Sequence, residues 1–171
     1  MASAHNLRIS DEDILEDHVP TGKTYKSFQY SNNLVWDTAR RGRTSAPGKP
    51  DIAIGSPPEF KGEAGVWAPE EMLVAALNAC MMLTFVAFAQ GKKLEFVAYE
   101  SAAEGRLENV DGKYRIVEVN VQPIVVLRSE AGISAARTIM AEVKANCFIS
   151  NSITADVKLA PEFKLASDVA I

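Results

Sequence analysis

An uncharged stretch of eighteen residues, Met72–Ala89, constrains the fold of this chain more than any other feature. Pro69, Glu70 and Glu71 precede it, and Gly91 with two lysines follows shortly after it, which are typical start and stop signals of an α-helix. Apolar side chains occupy every face of this helix. We therefore expect a central helix that is covered on all sides, or that is covered partly by a second subunit.

The same stretch just reaches the length of a membrane span. Asn78 and Cys80 interrupt its apolar character, and the chain has no second stretch of this kind. The mean hydropathy of -0.02 and the 23% of charged residues are typical of a water-soluble protein. We therefore expect a core helix and no membrane partner. Because residues 1–10 lack a basic segment followed by an apolar run, we also expect a cytoplasmic location.

The length of 171 residues suits one compact domain. Residues 1–20 are acidic and poor in aromatic side chains, so we predict an N-terminal arm there and a single domain over residues 21–171. Eighteen basic residues against 22 acidic ones give a net charge of -4. This balance provides no positive surface for a phosphate backbone, so nucleic acid is excluded as the expected partner.

The remaining segments predict an α+β fold. Asn109 to Gly112 has the composition of a hairpin turn between two strands, and apolar residues from Ile133 to Cys147 recur at helical spacing, which places Cys147 in the last turn of an amphipathic helix. Residues 40–50 combine arginines with Gly and Pro and are predicted to be a mobile basic loop. The predicted strands lie within residues 25–37, 95–107, 113–127 and 153–159.

Cys80 and Cys147 are the two cysteines of the chain, and neither belongs to a CxxC motif. A structural zinc site or a thioredoxin-type motif is therefore not expected, and no cofactor is predicted. His5 and His18 both lie in the N-terminal stretch, so thiol chemistry in the domain would have to work without imidazole. Each cysteine has two interpretations: a small core hydrophobe, or one member of a pair that two packed helices bring together.

A buried thiol reacts near neutral pH only where its thiolate is stabilised, and the arginines of residues 40–43 are the available cations. For any one of these arginines, the simpler interpretation is a solvated basic turn that needs no function. Glu70 is explained by the helix dipole alone. Ten helical residues separate Glu70 from Cys80, which is about 15 Å along the axis, so the two side chains cannot touch within one helix.

Two blocks of sequence resemble a known superfamily. They are WAPEEMLVAALNAC at residues 67–80 and CFISNSI at residues 147–153. Both are similar, in residue type and in setting, to blocks of the superfamily of osmotically inducible protein C (OsmC) and organic hydroperoxide resistance protein (Ohr). The resemblance extends over about residues 25–161. It implies an intertwined homodimer, in which two central helices pack with antiparallel sheets that contain strands of both chains.

The resemblance also implies an activity: a cysteine-based peroxidase that reduces organic hydroperoxides in oxidative-stress defence. It assigns Cys80 as the peroxidatic cysteine, Cys147 as the resolving cysteine, and Glu70 as the acid that pairs with an arginine near the thiolate. Arg40 matches that arginine best, with Arg43 as the alternative. An external dithiol, of lipoyl type in relatives of the hydroperoxide resistance branch, would return the disulfide to two thiols.

Three further expectations depend on this resemblance. Because Glu70 and Cys80 lie too far apart along one helix, we expect the arginine and the acid to reach the thiol across the dimer interface. A non-enzymatic redox sensor or carrier of apolar ligands with the same fold is the alternative function. Six apolar residues of the central helix would line a pocket for an alkyl peroxide, unless they are plain core: Met72, Met81, Met82, Leu83, Phe85 and Phe88.

Overall fold

The first regular structure among the described residues is a small antiparallel sheet. The structure, a computed structural model, describes residues 25–168; the predicted acidic arm, residues 1–20, lies outside them. One compact unit starts at Asn32, and residues 25–31 belong to a separate unit and form neither helix nor strand. Of the strand content predicted for residues 25–37, only the last part forms a strand.

The first sheet has three strands in the order β1 (Asn33–Thr38), β2 (Arg41–Ser45) and β3 (Ile52–Gly55). The prediction of a mobile loop over residues 40–50 is therefore wrong for its first half. The reason is visible in the alternation of β2: Gly42 and Thr44 are buried, while Arg43 between them points to solvent. The alternation of buried and exposed residues at every second position, rather than the basic composition, decides that this segment is a strand.

The central helix α1 spans Pro69–Gly91, as the sequence signals predict. The Glu71 carboxylate accepts a hydrogen bond from the Ala68 N–H at 2.8 Å, which satisfies one of the free donors at the N-terminus. Two residues beyond the end of the helix, Lys93 adopts the left-handed conformation, with φ of 55°. Just before α1, a short 3₁₀ helix covers Pro58–Phe60.

The second sheet is built around two long strands, β4 (Phe96–Val110) and β5 (Lys113–Leu127). Asp111 and Gly112 join them with φ of 53° and 82°, the left-handed geometry of a two-residue hairpin turn. The other edge of β5 pairs first with β6 (Asp156–Leu159) and then with β7 (Glu162–Leu165), both in parallel.

The second sheet is therefore mixed, whereas the family resemblance implied antiparallel sheets. A parallel pair requires a crossover connection, and helix α2 (Ala131–Asn146) provides it between β5 and β6. The predicted closing strand over residues 153–159 forms only over its last four residues, Asp156–Leu159, and a 3₁₀ turn, Ser150–Ser152, precedes it. The α+β class is confirmed.

The core lies between α1, α2 and β5. Leu77, Met81, Phe85 and Ala89 form the buried stripe of α1, at a spacing of four residues. They pack against buried residues of β5 and α2, which are Val119, Val121, Val125, Leu127, Ala136, Ile139, Met140 and Val143. Phe85 also contacts the Phe96 ring edge to face, with centroids 5.5 Å apart.

The opposite face of α1 is exposed in this chain, so the expectation of a helix covered on all sides is wrong for the single chain. Leu83 is 60% exposed there, and the neighbouring positions of the stripe are Ala76, Ala79 and Ala87. By length and hydropathy α1 would also suffice to cross a membrane, with a mean hydropathy of 2.1. Its packing against α2 and the second sheet is that of a core helix.

Candidate functional site

The two cysteines meet at the junction of α1 and α2. Cys80 lies in the middle of α1 and is partly exposed, whereas Cys147 immediately follows the last residue of α2 and is completely buried. Cys147 is thus one position beyond the helical turn in which the sequence placed it. The two side chains are hydrogen-bonded to one another, and both cysteines are free.

The environment of Cys80 favours its thiolate. Burial, the largest single influence, raises the pKa of Cys80, but the hydrogen bonds to its sulfur act together in the opposite direction and leave the pKa below the ordinary value of 9.0. The strongest of these bonds comes from Cys147, followed by the backbone N–H groups of Ile149 and Phe148 and by the Thr84 side chain. Hydrogen bonds to a charged sulfur stabilise that form.

Cys147 has the opposite character. Burial raises its pKa first, and the hydrogen bond and charge of the neighbouring Cys80 raise it further, to about 11. The Ser150 N–H donates to the Cys147 sulfur at 3.4 Å, a weaker influence in the other direction. As the pH rises, Cys80 is therefore the first sulfur of this pair to ionise, and Cys147 keeps its proton to higher pH.

The turn after Cys147 is fixed by its own hydrogen bonds. The Asn151 N–H donates to the Cys147 carbonyl at 3.1 Å, and the Ser152 hydroxyl donates to the Phe148 carbonyl at 2.7 Å. These bonds hold the backbone N–H groups of residues 148 and 149 toward Cys80. Two of the four hydrogen-bond donors to Cys80 are thus positioned by local backbone geometry.

Sequence reasoning did not identify Thr84 or Phe148 as parts of this site. Phe148 is 80% exposed beside the thiol pair. Its position directly after Cys147 was the available signal. Of the six apolar helix residues considered for a peroxide pocket, Met81 and Phe85 are completely buried in the core. Leu83 is the most exposed of the remainder.

Arg40 and Glu70 lie at a different place from the two cysteines. Both line a cavity of about 460 Å³ between the first sheet and the start of α1. The Arg40 guanidinium donates to the Phe60 carbonyl, and one carboxylate oxygen of Glu70, Oε2, is buried with no hydrogen-bond partner. Cys80 does not line this cavity.

Arg43 is engaged elsewhere. Its guanidinium forms an ion pair with Asp37, with Nη2 and Oδ1 3.0 Å apart and a second contact through Nε. Arg41 is paired with Glu63 at 2.8 Å. The arginine of residues 40–43 that lines a cavity together with Glu70 is therefore Arg40.

A larger cavity of about 680 Å³ lies between the first half of α1 and β4. Glu70, Glu71 and Asn78 line it together with apolar side chains such as Trp67. Asn78 accepts a hydrogen bond from the Ser101 hydroxyl at 2.6 Å, which ties α1 to β4. Across residues 25–168, no three His, Cys, Asp or Glu side chains are grouped so that they could hold a metal ion.

The fold and site together define a class of protein: an α+β domain in which a long central helix presents one thiol to a second thiol at the end of the other helix. Residues 62–162 match the family model described as OsmC-like protein. The chain belongs to this family, within the OsmC and Ohr superfamily.

Known relatives have the same fold. An OsmC-like protein of unknown function from Vibrio cholerae O1 biovar eltor superposes with a TM-score of 0.73 at 24% identity, over 79% of this chain and 99% of that one. An organic hydroperoxide resistance protein from Legionella pneumophila superposes with a TM-score of 0.64 at 19% identity, over 81% and 99%. The uncharacterized protein YmaD of Bacillus subtilis is 26% identical over 113 residues, 64% of this chain and 75% of its own length.

Proposed function

We propose that this protein is a thiol peroxidase that reduces organic hydroperoxides, with Cys80 as the nucleophile and Cys147 as the resolving thiol. The observation that carries the proposal is the contact between the two sulfurs, with their pKa values moved in opposite directions. The chain also belongs to a superfamily that includes peroxidases, and a solved relative is named an organic hydroperoxide resistance protein.

The first step oxidises Cys80. Its thiolate attacks the distal oxygen of the hydroperoxide, the O–O bond breaks, and the alkoxide leaves with the bonding electron pair. Cys80 becomes a sulfenic acid, and the alkoxide takes a proton to become an alcohol. A hydrogen bond or a cation at the departing oxygen lowers the barrier of this step.

The second step uses Cys147. Its sulfur attacks the sulfenic sulfur of Cys80, hydroxide leaves, and with the proton of the Cys147 thiol it forms water. The product is a Cys80–Cys147 disulfide. An external dithiol then donates two electrons and two protons, which restores both thiols and leaves the reductant as its own disulfide. We expect a reductant of lipoyl type, as in the hydroperoxide resistance branch.

The opposite shifts of the two pKa values determine which cysteine reacts first. Because Cys147 remains a thiol near neutral pH, it does not compete for peroxide. The charge and the hydrogen bond of Cys80 both contribute to the high pKa of Cys147. Both contributions depend on the Cys80 thiolate, so they disappear when Cys80 is oxidised, and Cys147 becomes easier to ionise at the moment when it is needed.

Arg40 and Glu70 are assigned to this site across a homodimer. The exposed stripe of α1 consists of small residues around Leu83 and would allow a second copy of α1 to approach closely. If the two helices cross antiparallel near Ala75, midway between Glu70 and Cys80, Glu70 of the partner subunit comes level with Cys80. Arg40 would arrive with it, since both residues line one cavity.

The apolar surroundings favour an organic peroxide over hydrogen peroxide. Phe148 is 80% exposed next to Cys147, and an alkyl group gains free energy by covering such an apolar surface. Free thiols persist in the reducing cytoplasm, where we place this activity.

The test is single-turnover oxidation of the reduced protein by cumene hydroperoxide, followed by stopped-flow thiol detection and by mass spectrometry. We expect rapid loss of two thiols, a Cys80–Cys147 disulfide, and turnover when dihydrolipoamide is added. C80S should not react, whereas C147S should be oxidised once and then over-oxidised to sulfinic acid. Thiol loss at the rate of a free cysteine, or full activity of C80S, would overturn the proposal and favour a sensor or a ligand carrier.

A further inference from the structure

Thr84 lies one helical turn beyond Cys80 on α1. Its hydroxyl donates a hydrogen bond to the Cys80 carbonyl at 2.8 Å and is also within hydrogen-bonding reach of the Cys80 side chain. Between Ala79 and Ala89 it is the one side chain that carries a hydroxyl. A β-branched residue is not the best helix former, and the half-buried apolar setting gives no packing reason for an oxygen atom.

We propose that Thr84 is a positioning residue for the peroxidase reaction, whose hydroxyl turns from the Cys80 carbonyl to the Cys80 sulfur when that sulfur is ionised. This inference rests on the proposed function. The proton stays on the Thr84 oxygen throughout, so the residue orients and stabilises the nucleophile without being consumed.

Two physical reasons make this rotation favourable. In an α-helix the Cys80 carbonyl already accepts the backbone N–H of Thr84, so the carbonyl keeps a partner when the hydroxyl leaves. A neutral thiol is a weak acceptor, whereas a thiolate makes a charge-assisted hydrogen bond, which is roughly twice as strong as a neutral one. Rotation of the Thr84 hydroxyl therefore gains little free energy while Cys80 is a thiol and becomes favourable when Cys80 is a thiolate.

The other donors show why this contact can be tested separately. The N–H groups of Phe148 and Ile149 belong to the backbone and cannot be removed by ordinary substitution. Cys147 contacts Cys80 from the end of α2 and is itself ionisable. It is also needed for the second step of the reaction. Thr84 is the donor that can be changed without altering the covalent chemistry.

The experiment measures the pKa of Cys80 from the pH dependence of its alkylation by iodoacetamide, in the C147S background so that one thiol titrates. T84V, which keeps the shape and removes the hydroxyl, should leave about tenfold less thiolate at neutral pH. The rate constant for cumene hydroperoxide, measured in the same proteins, should fall by a similar factor. T84S should restore both values.

Thr138 gives a matched control. Its hydroxyl donates to the Ser134 carbonyl at 3.1 Å in α2, with no cysteine beside it. T138V should leave the pKa of Cys80 unchanged, and T84A replaces T84V if the latter does not fold. An unchanged Cys80 pKa in T84V overturns the role of Thr84 whatever the activity. Failure of the wild-type protein to reduce peroxide, with the T84V shift present, overturns the proposed function instead.

Discussion

The Cys147 thiol donates a hydrogen bond to the Cys80 sulfur, although 67 positions separate the two residues in the chain. The contact depends on the packing of α1 against α2, which the shared apolar core holds in place. A sulfenic acid formed at Cys80 would therefore meet its resolving thiol without a large movement of either helix.

The pH dependence of peroxide oxidation should follow the Cys80 thiolate. Since the pKa of Cys80 lies below 9.0, the rate should rise with pH and reach half of its maximum below that value. C147A removes a donor to the thiolate, so its midpoint should move to higher pH, whereas C147S retains an O–H donor and should move less. Stopped-flow rates across pH measure this. Equal midpoints in all three proteins would contradict the assigned hydrogen bond.

Arg40 and Arg43 should differ in their effect on activity. R40M should lower kcat/KM for cumene hydroperoxide by about a hundredfold, because the leaving alkoxide loses its cationic partner. R43M should change it little, since Arg43 is paired with Asp37 at 3.0 Å. Steady-state assays with dihydrolipoamide compare the two variants. A larger loss in R43M would reassign the arginine.

The exposed face of α1 should control self-association. L83E places a charge on a residue that is 60% exposed in one subunit, and burying that charge in an interface should weaken dimer formation by at least about tenfold. T138E, on an exposed position of α2, is the control. Sedimentation velocity over a concentration series gives the dissociation constants. A dimer of unchanged strength in L83E would exclude this face as the interface.

Two phenylalanines should separate stability from function. Phe85 is completely buried between Phe96 and Tyr99, so F85A should cost about 3 to 5 kcal/mol of unfolding free energy. F148A removes an exposed ring and should cost less than about 0.5 kcal/mol, while it lowers the preference for organic over hydrogen peroxide. Urea unfolding and paired peroxide assays measure both effects. Equal stability losses would mean that Phe148 is buried in the assembled protein.

The strand pattern shows where sequence reasoning succeeds and where it stops. The hairpin of β4 and β5 follows from local alternation and from the turn at Asp111 and Gly112, which are both short-range signals. The parallel pairing of β6 and β7 with β5 depends on the path of the crossover through α2, because this path sets where the chain returns to the sheet. No local sequence pattern specifies that position. Strand β2 was missed because its arginines were given more weight than its alternation.

The site divides in the same way. The sequence by itself determined the central helix, the two candidate thiols and the acid at Glu70. Helix start and stop signals and the two sequence blocks each occupy a short continuous stretch of residues, so they can be recognised without the tertiary structure. Only the tertiary structure decided that Cys80 and Cys147 touch, that backbone N–H groups after Cys147 favour the Cys80 thiolate, and that Arg40 rather than Arg43 shares a cavity with Glu70. These are contacts between distant parts of the chain, and packing, not local preference, sets their geometry.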